Sequence, residues 1–162
     1  MSSPGLPAIR LLGPGDEALV VDLALDDAAF GHEPDVDDAL EPLTADQAAG
    51  FLRDPAVRYW VAVEASEDGA GQVVGQLYCV VHPIRSQPGR EVLLFEIATR
   101  HDRRRQGIGR ALLAALDGWM AGEGIVTAWV LADDADAAAF YAACGWTVQP
   151  DQPTYLERSP TS

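Results

Sequence analysis

The run Arg104-Arg105-Gln106-Gly107-Ile108-Gly109-Arg110 constrains the fold of this chain more than any other stretch. Before it lies an apolar segment, Val92 to Thr99, that reads as a buried strand. After it, Ile108, Leu112, Ala115, Leu116 and Trp119 recur at the helical period, which predicts a helix from about Gly107 to Glu123. The glycines therefore occupy a strand-to-helix turn. The first turn of a helix presents backbone N–H groups that lack intrahelical acceptors, at the positive end of the helix dipole. Glycine lets the main chain approach a ligand closely and take positive φ. Together with the flanking arginines, these features make an anion site, most naturally for phosphate. Two phosphate motifs do not fit. The P-loop requires a Lys, and this chain contains none; the dinucleotide fingerprint needs a third Gly where Leu112 stands. What remains is R-x-x-G-x-G.

The rest of the chain supplies a frame for that turn. Ala8 to Leu12 reads as a short strand stopped by Gly13-Pro14-Gly15. Asp16 is placed to N-cap a helix running to about Phe30, with Leu19, Leu23, Ala24 and Phe30 as its buried stripe. An acidic connection with two prolines follows over residues 33 to 43. Thr44 then caps a second helix through Arg53, which Asp54-Pro55 ends. Tyr59 to Glu64, Val73 to Val81 and Glu91 to Thr99 read as three antiparallel strands, the first two joined by a turn over Ser66 to Gly71. Ile125 to Leu131 reads as a strand after the long helix, so strand–helix–strand implies a right-handed parallel crossover. Asp134 or Asp136 opens a short helix through Ala143, stopped by Gly145, and Thr147 to Glu157 is expected to add one or two closing strands. The expected fold is α/β with a mixed sheet: antiparallel strands first, then a parallel β-α-β unit. Residues 1–162 are read as a single domain without repeats.

Composition narrows the function. The net charge is −14, which argues against nucleic acid as a partner, because that affinity comes from basic surface. Apolar runs are too short to span a bilayer, and the first residues do not read as a signal peptide, so no membrane partner is expected. Cys79 and Cys144 fall in strand and helix-end contexts, which fits a reducing, cytoplasmic setting. No His/Cys cluster has metal-site spacing. Between Arg10 and Arg53 there is no basic residue but eleven acids, whereas arginines crowd at 100, 103, 104, 105 and 110. One region suits a cation and the other a polyanion.

R-x-x-G-x-G between a strand and a helix resembles the acetyl-CoA pyrophosphate loop of the GNAT N-acetyltransferases. A second stretch, Ala137-Ala138-Ala139-Phe140-Tyr141-Ala142-Ala143-Cys144-Gly145-Trp146, resembles that family's Tyr signature. The resemblance implies a co-substrate, acetyl-CoA, and a set of roles. Arg104, Gln106, Gly107 and Gly109, with Ile108 between them, would form the pyrophosphate cradle, mainly through main-chain N–H groups. Arg105 and Arg110 would reach the pyrophosphate or the ribose phosphate, while Arg100 and Arg103 read as solvated charges near the entrance. The backbone of Ile97, Ala98 and Thr99 would pair with the pantetheine arm. Tyr141 would protonate the departing thiolate. Asp134 stands seven residues before the Tyr, where the family often has Asn. The pair of helices before the second strand would form the acceptor wall. An ammonium must lose a proton before it attacks a thioester, so a carboxylate near the carbonyl is required as base or as cation binder. Glu96 is the candidate, an acid inside the apolar run Leu93-Leu94-Phe95-Glu96-Ile97-Ala98.

The stretch from Pro83 to Gly109 further resembles the gentamicin-type aminoglycoside 3-N-acetyltransferases, whose Asp aligns with Glu96. Leu93 replaces a Tyr of that pattern. The resemblance implies a cationic small-molecule amine as acceptor, an aminoglycoside first, and hence a role in antibiotic resistance. Acceptors of other kinds stay open: a protein N-terminus, a polyamine or a metabolite amine. So does a non-catalytic acyl-CoA-binding module. GNAT proteins are commonly dimers, so a homodimer is a possible state.

Overall fold

A computed structural model describes residues 5–31, 41–66, 69–151, 156 and 158. The chain divides into two compact units, Met1–Leu131 and Ala132–Ser162. In the first, β1 (Ala8–Leu11), β2 (Val57–Glu64), β3 (Gln72–Pro83), β4 (Arg90–Thr99) and β5 (Ile125–Val130) form one sheet in chain order. The first three pairings are antiparallel and β4–β5 is parallel. A parallel pair needs a crossover, and α4 (Ile108–Glu123) supplies it. The mixed sheet is the one the patterning predicts. Among the described residues no helix is long and apolar enough to cross a membrane.

Period-2 alternation sorts the strand side chains onto two faces. Val61 joins Leu12, Val20, Leu23, Phe30 and Ala48 in a core beneath α1 (Glu17–Leu25), α2 (Asp27–Phe30) and α3 (Ala45–Arg53). On the other face lies α4, whose buried residues are Ile108, Leu112, Leu113 and Leu116. Trp60 meets Trp119 edge-on at 5.6 Å. Gly75 of β3 lies under the start of α4: a Cβ there would stand 2.6 Å from Cγ2 of Ile108 and 3.2 Å from Cδ1 of Leu112.

Three local expectations change. The first helix is not continuous to Phe30; it breaks at Asp26, whose φ of −101° and ψ of 19° leave the helical ladder. The buried residues of α1 are Val20 and Leu23, while Ala24 is exposed. Asp16 precedes the helix but does not cap it. Its ψ of 14° is far from the extended backbone that aims a cap at the first-turn amides, and its carboxylate instead accepts from Gly13 N at 2.9 Å and Arg10 Nη1 at 2.8 Å. Thr44, with ψ of 159°, does cap: its hydroxyl accepts from Gln47 N, and the Gln47 side chain accepts from Thr44 N. In the tail, residues 146–151 form no strand, and Pro150 would offer no N–H to a ladder there. The rest of the expected closing strands, Leu156 aside, and most of the acidic connection, residues 32–40, lie outside the described residues, as do Glu67 and Asp68 of the hairpin turn.

Candidate active site

Strand β4 carries the first half of the site. Its register with β3 runs Val81↔Val92, Val80↔Leu93 and Cys79↔Leu94, then jumps to Tyr78↔Glu96. Phe95 is the extra residue of a β-bulge. This accounts for an acid in an apolar run. In a regular strand Glu96 would share the face of Leu94, which is 1% exposed and points to the α4 side. The bulge instead pairs Glu96 with Tyr78 and turns it to the face covered by α1 and α3. Phe95 itself is exposed, its ring 5.7 Å from that of Tyr78. Phe51 of α3 contacts both Tyr59 and Tyr78, with centroids 6.1 and 5.3 Å away. Glu96 thus stands beside a wall of four aromatic rings.

Its carboxylate is held from β3. Gln76 Nε2 donates to Glu96 Oε1 at 2.8 Å, and the Tyr59 hydroxyl donates to Gln76 Oε1. Burial, reinforced by the charges of Glu96 and Asp27, pushes the Tyr59 phenol well above its ordinary range, so it stays a neutral donor. Tyr78 is shifted the same way, first by burial and then by Cys79, Asp54 and Glu96. The sequence reading did not single out Gln76 or Tyr59. An amide inside Val73 to Val81 was the available signal.

Beyond Leu94↔Val130 the β4–β5 pairing stops. Ile97, Ala98 and Thr99 continue to pair with β3, opposite Leu77, Gln76 and Gly75, and are half-buried. Past Thr99 a 3-10 turn, His101–Arg103, leads into the glycine loop. Arg105 has a φ of 62°, an uncommon value for a residue with a Cβ, and Gly107 has a φ of 82° at the position just before α4. Among the described residues no side chain caps α4, and its first turn holds no acid. Its opening amides, those of Ile108, Gly109 and Arg110, are the groups that any α-helix leaves without intrahelical acceptors.

The arginines sort differently from the sequence reading. Arg100 and Arg103 are not simply solvated. Arg100 pairs with Asp26 at 2.9 Å and lies over the Phe30 ring, and Arg103 pairs with Glu64 at 2.9 Å. Those acids come from the end of α1 and the end of β2, distant in sequence, so spacing along the chain did not reveal them. The Arg104 guanidinium reaches back to the Phe30 carbonyl at 3.5 Å and sits against Gly31, beside His101. Arg105, Gln106 and Arg110 are exposed.

Tyr141 and Asp134 belong to the second unit. There α5 (Ala135–Ala143) is capped by Asp134, whose Oδ1 accepts from Ala137 N at 2.7 Å. Tyr141 is buried between the rings of Phe140 and Trp146, each 5.3 Å away. Burial, with Asp133 and Cys144 adding to it, pushes its phenol up to about 12. Cys144 carries a free thiol at the C-terminal cap of α5.

The model of the acetyltransferase (GNAT) family matches residues 20–146. No curated protein sequence matches the chain. Among solved structures, an aminoglycoside acetyltransferase from an uncultured soil metagenomic sample, in complex with sisomicin, is 20% identical. The match covers 95% of this chain and 96% of that one, with a TM-score of 0.79. A second aminoglycoside acetyltransferase from such a sample is 23% identical over 98% and 99% of the two chains, with a TM-score of 0.74. A ribosomal-protein-alanine N-acetyltransferase from Brucella melitensis biovar Abortus 2308 is 21% identical over 94% and 99%, with a TM-score of 0.66.

Proposed function

The chain belongs to the acetyltransferase (GNAT) family and is an N-acetyltransferase, and from that premise we propose that it moves the acetyl group of acetyl-CoA to a primary amine of a cationic small molecule. An aminoglycoside, at its 3-amino group, is the acceptor we place first, with antibiotic resistance as the biological consequence. The observation that carries this reading is the bulge at Phe95. It turns one carboxylate, Glu96, out of the core and sets it beside Phe51, Tyr59, Tyr78 and Phe95. A carboxylate bordered by aromatic rings attracts an ammonium twice, by charge and by cation–π interaction.

In this reading the residues divide the work. The main-chain N–H groups of Ile108, Gly109 and Arg110 hold the diphosphate, with Gln106 and Gly107 shaping the turn and Arg104, Arg105 and Arg110 supplying positive charge. Ile97, Ala98 and Thr99 lie on the part of β4 that β5 no longer pairs, which leaves strand backbone for the pantetheine amides. Glu96 takes the proton of the substrate ammonium, directly or through a water. The freed nitrogen lone pair attacks the thioester carbonyl carbon, the C–S bond breaks with its electron pair leaving on sulfur, and the nitrogen gives its second proton to solvent as the amide forms, solvent in turn protonating the released thiolate. Tyr141 donates to that sulfur, and Asp134 fixes the start of the helix that carries it. The two free thiols suit a reducing cytoplasm. The working state is proposed to be one 162-residue catalytic domain, as a monomer or a homodimer.

Thiol release from acetyl-CoA, followed with a panel of amines, tests the reading. Release with sisomicin and gentamicin-type compounds is expected. Release only with a peptide N-terminus, a polyamine or a metabolite amine overturns the acceptor class. Tight acetyl-CoA binding without turnover on any amine overturns catalysis and leaves an acyl-CoA-binding module.

A further inference from the structure

We propose that Gln76 is a positioning residue: its carboxamide, oriented by the Tyr59 hydroxyl, holds Glu96 as an ionised carboxylate on the face that receives the amine. The inference rests on the role proposed for Glu96 and adds to it the means by which that role is kept available.

Gln76 is 3% exposed and is the one buried polar side chain among the described residues. A buried amide is retained only where its donors and its acceptor find partners. Here both ends do, across three strands. In the sheet, Val61 and Ala98 stand opposite Gln76, whereas its partners Tyr59 and Glu96 both stand opposite Tyr78. The amide therefore reaches diagonally to both neighbours at once. On the β4 side it reaches Glu96 only because the bulge at Phe95 has moved that residue to the shared face.

The direction of the hydrogen bonds decides the charge state. The Tyr59 hydroxyl is held neutral by its burial and donates to Oε1 of Gln76. That leaves the NH₂ end facing Glu96 Oε1 at 2.8 Å, which must accept. An ionised carboxylate accepts at both oxygens, and the amide presents it with a donor while the amide oxygen is turned to Tyr59. The Gln76 bond is stronger to a charged Glu96 than to a protonated one, so it favours the charged form. That suits a group that must start each turnover unprotonated, then pass its proton on. The titratable groups that act on this network include Tyr59 of β2 and Tyr78 of β3, with Asp27 acting on the first phenol and Asp54 on the second. Tyr59 is the one of these that bonds the Gln76 side chain, and Tyr59→Phe controls for the loss of that bond.

The experiment is a carbon-13 titration of glutamate side chains in the full-length protein, with Glu96→Gln identifying the Glu96 signal. In Gln76→Leu the Glu96 midpoint is expected to rise by about one pH unit or more, since a hydrogen bond to a charged group is worth at least that much. Tyr59→Phe removes a single oxygen and preserves the packing. It frees the amide to turn and is expected to shift the midpoint in the same direction, by less. Coincident titrations in the wild-type protein and both variants overturn the inference. Kinetics then separate the hold on the carboxylate from its use. With an amine that turns over, Gln76→Leu is expected to lower kcat/KM for the amine about tenfold or more, with KM for acetyl-CoA unchanged and no added loss in a Glu96→Gln background. A shifted midpoint together with full activity of Glu96→Gln overturns the function proposed for Glu96 and leaves the hold on its carboxylate standing.

Discussion

At the scale of single residues, the proposed chemistry depends on two groups held in opposite protonation states. Glu96 is proposed to be held charged by the donor that faces it; burial opposes ionisation of Tyr141 and pushes its pKa up to about 12. A phenol that weakly acidic does not fully surrender its proton to a thiolate, whose conjugate acid lies about 3.5 units lower, near 8.5. What Tyr141 supplies in the proposed reaction is a hydrogen bond to the charge developing on sulfur. Tyr141→Phe is therefore expected to lower kcat by roughly 10- to 100-fold with little change in KM for acetyl-CoA. The loss is the same at every pH from 6 to 9, because the phenol is neutral throughout. Linkage gives a second readout. An unfolded tyrosine ionises near 10 while Tyr141 in the folded chain holds its proton to about 12. Wild-type stability should thus fall relative to the Phe variant as pH rises through that window, as measured by denaturant titration. The two candidates stand out in the sequence for different reasons. Tyr141 stood in a recognisable local pattern, whereas Glu96 stood out by violating one, as an acid in an apolar strand. Gln76 violates the same pattern more mildly, and its importance shows only when three strands are aligned.

At the scale of elements, the strand–turn–helix unit and the Thr44 cap were readable because each is a local statement. Periodicity marks β4 and α4, positive φ marks Gly107, and a cap lies within three residues of its acceptors. The bulge at Phe95 was not readable, because it exists only as a mismatch between two paired strands. The break at Asp26 was hidden for a similar reason: a helix end held by an ion pair to Arg100 depends on a residue 74 positions away. The Gly75–Ile108 contact is of this long-range kind too, and it sets how closely the start of α4 sits on the sheet. Gly75→Ala places a methyl 2.6 Å from Ile108 and forces the first turn of α4 outward. The expected cost is about 1–3 kcal/mol, a fall in Tm of several degrees by thermal melt. Acetyl-CoA affinity should fall with it, by calorimetric titration, because the moved turn is the one proposed to hold the diphosphate. An unchanged melt would mean that α4 is not seated on Gly75.

At the scale of the whole molecule, a net charge of −14 coexists with a loop of arginines. Part of that positive charge is balanced within the first unit, where Asp26 and Glu64 hold Arg100 and Arg103. These are partly exposed pairs and contribute little stability individually. Their effect is geometric: they tie the segment entering the glycine loop to α1 and to β2. The arginines after them lead directly into the opening amides of α4. In the proposed function those amides anchor acetyl-CoA, since a thioester anchored anywhere else would not be aimed along the part of β4 that β5 leaves unpaired, at Glu96. The most direct measurement is the difference density of crystals soaked with coenzyme A. The diphosphate is expected within hydrogen-bonding distance of the main-chain nitrogens of residues 108–110, with the pantetheine arm along Ile97 to Thr99. A coenzyme ordered elsewhere on the chain, with that turn vacant, contradicts the account.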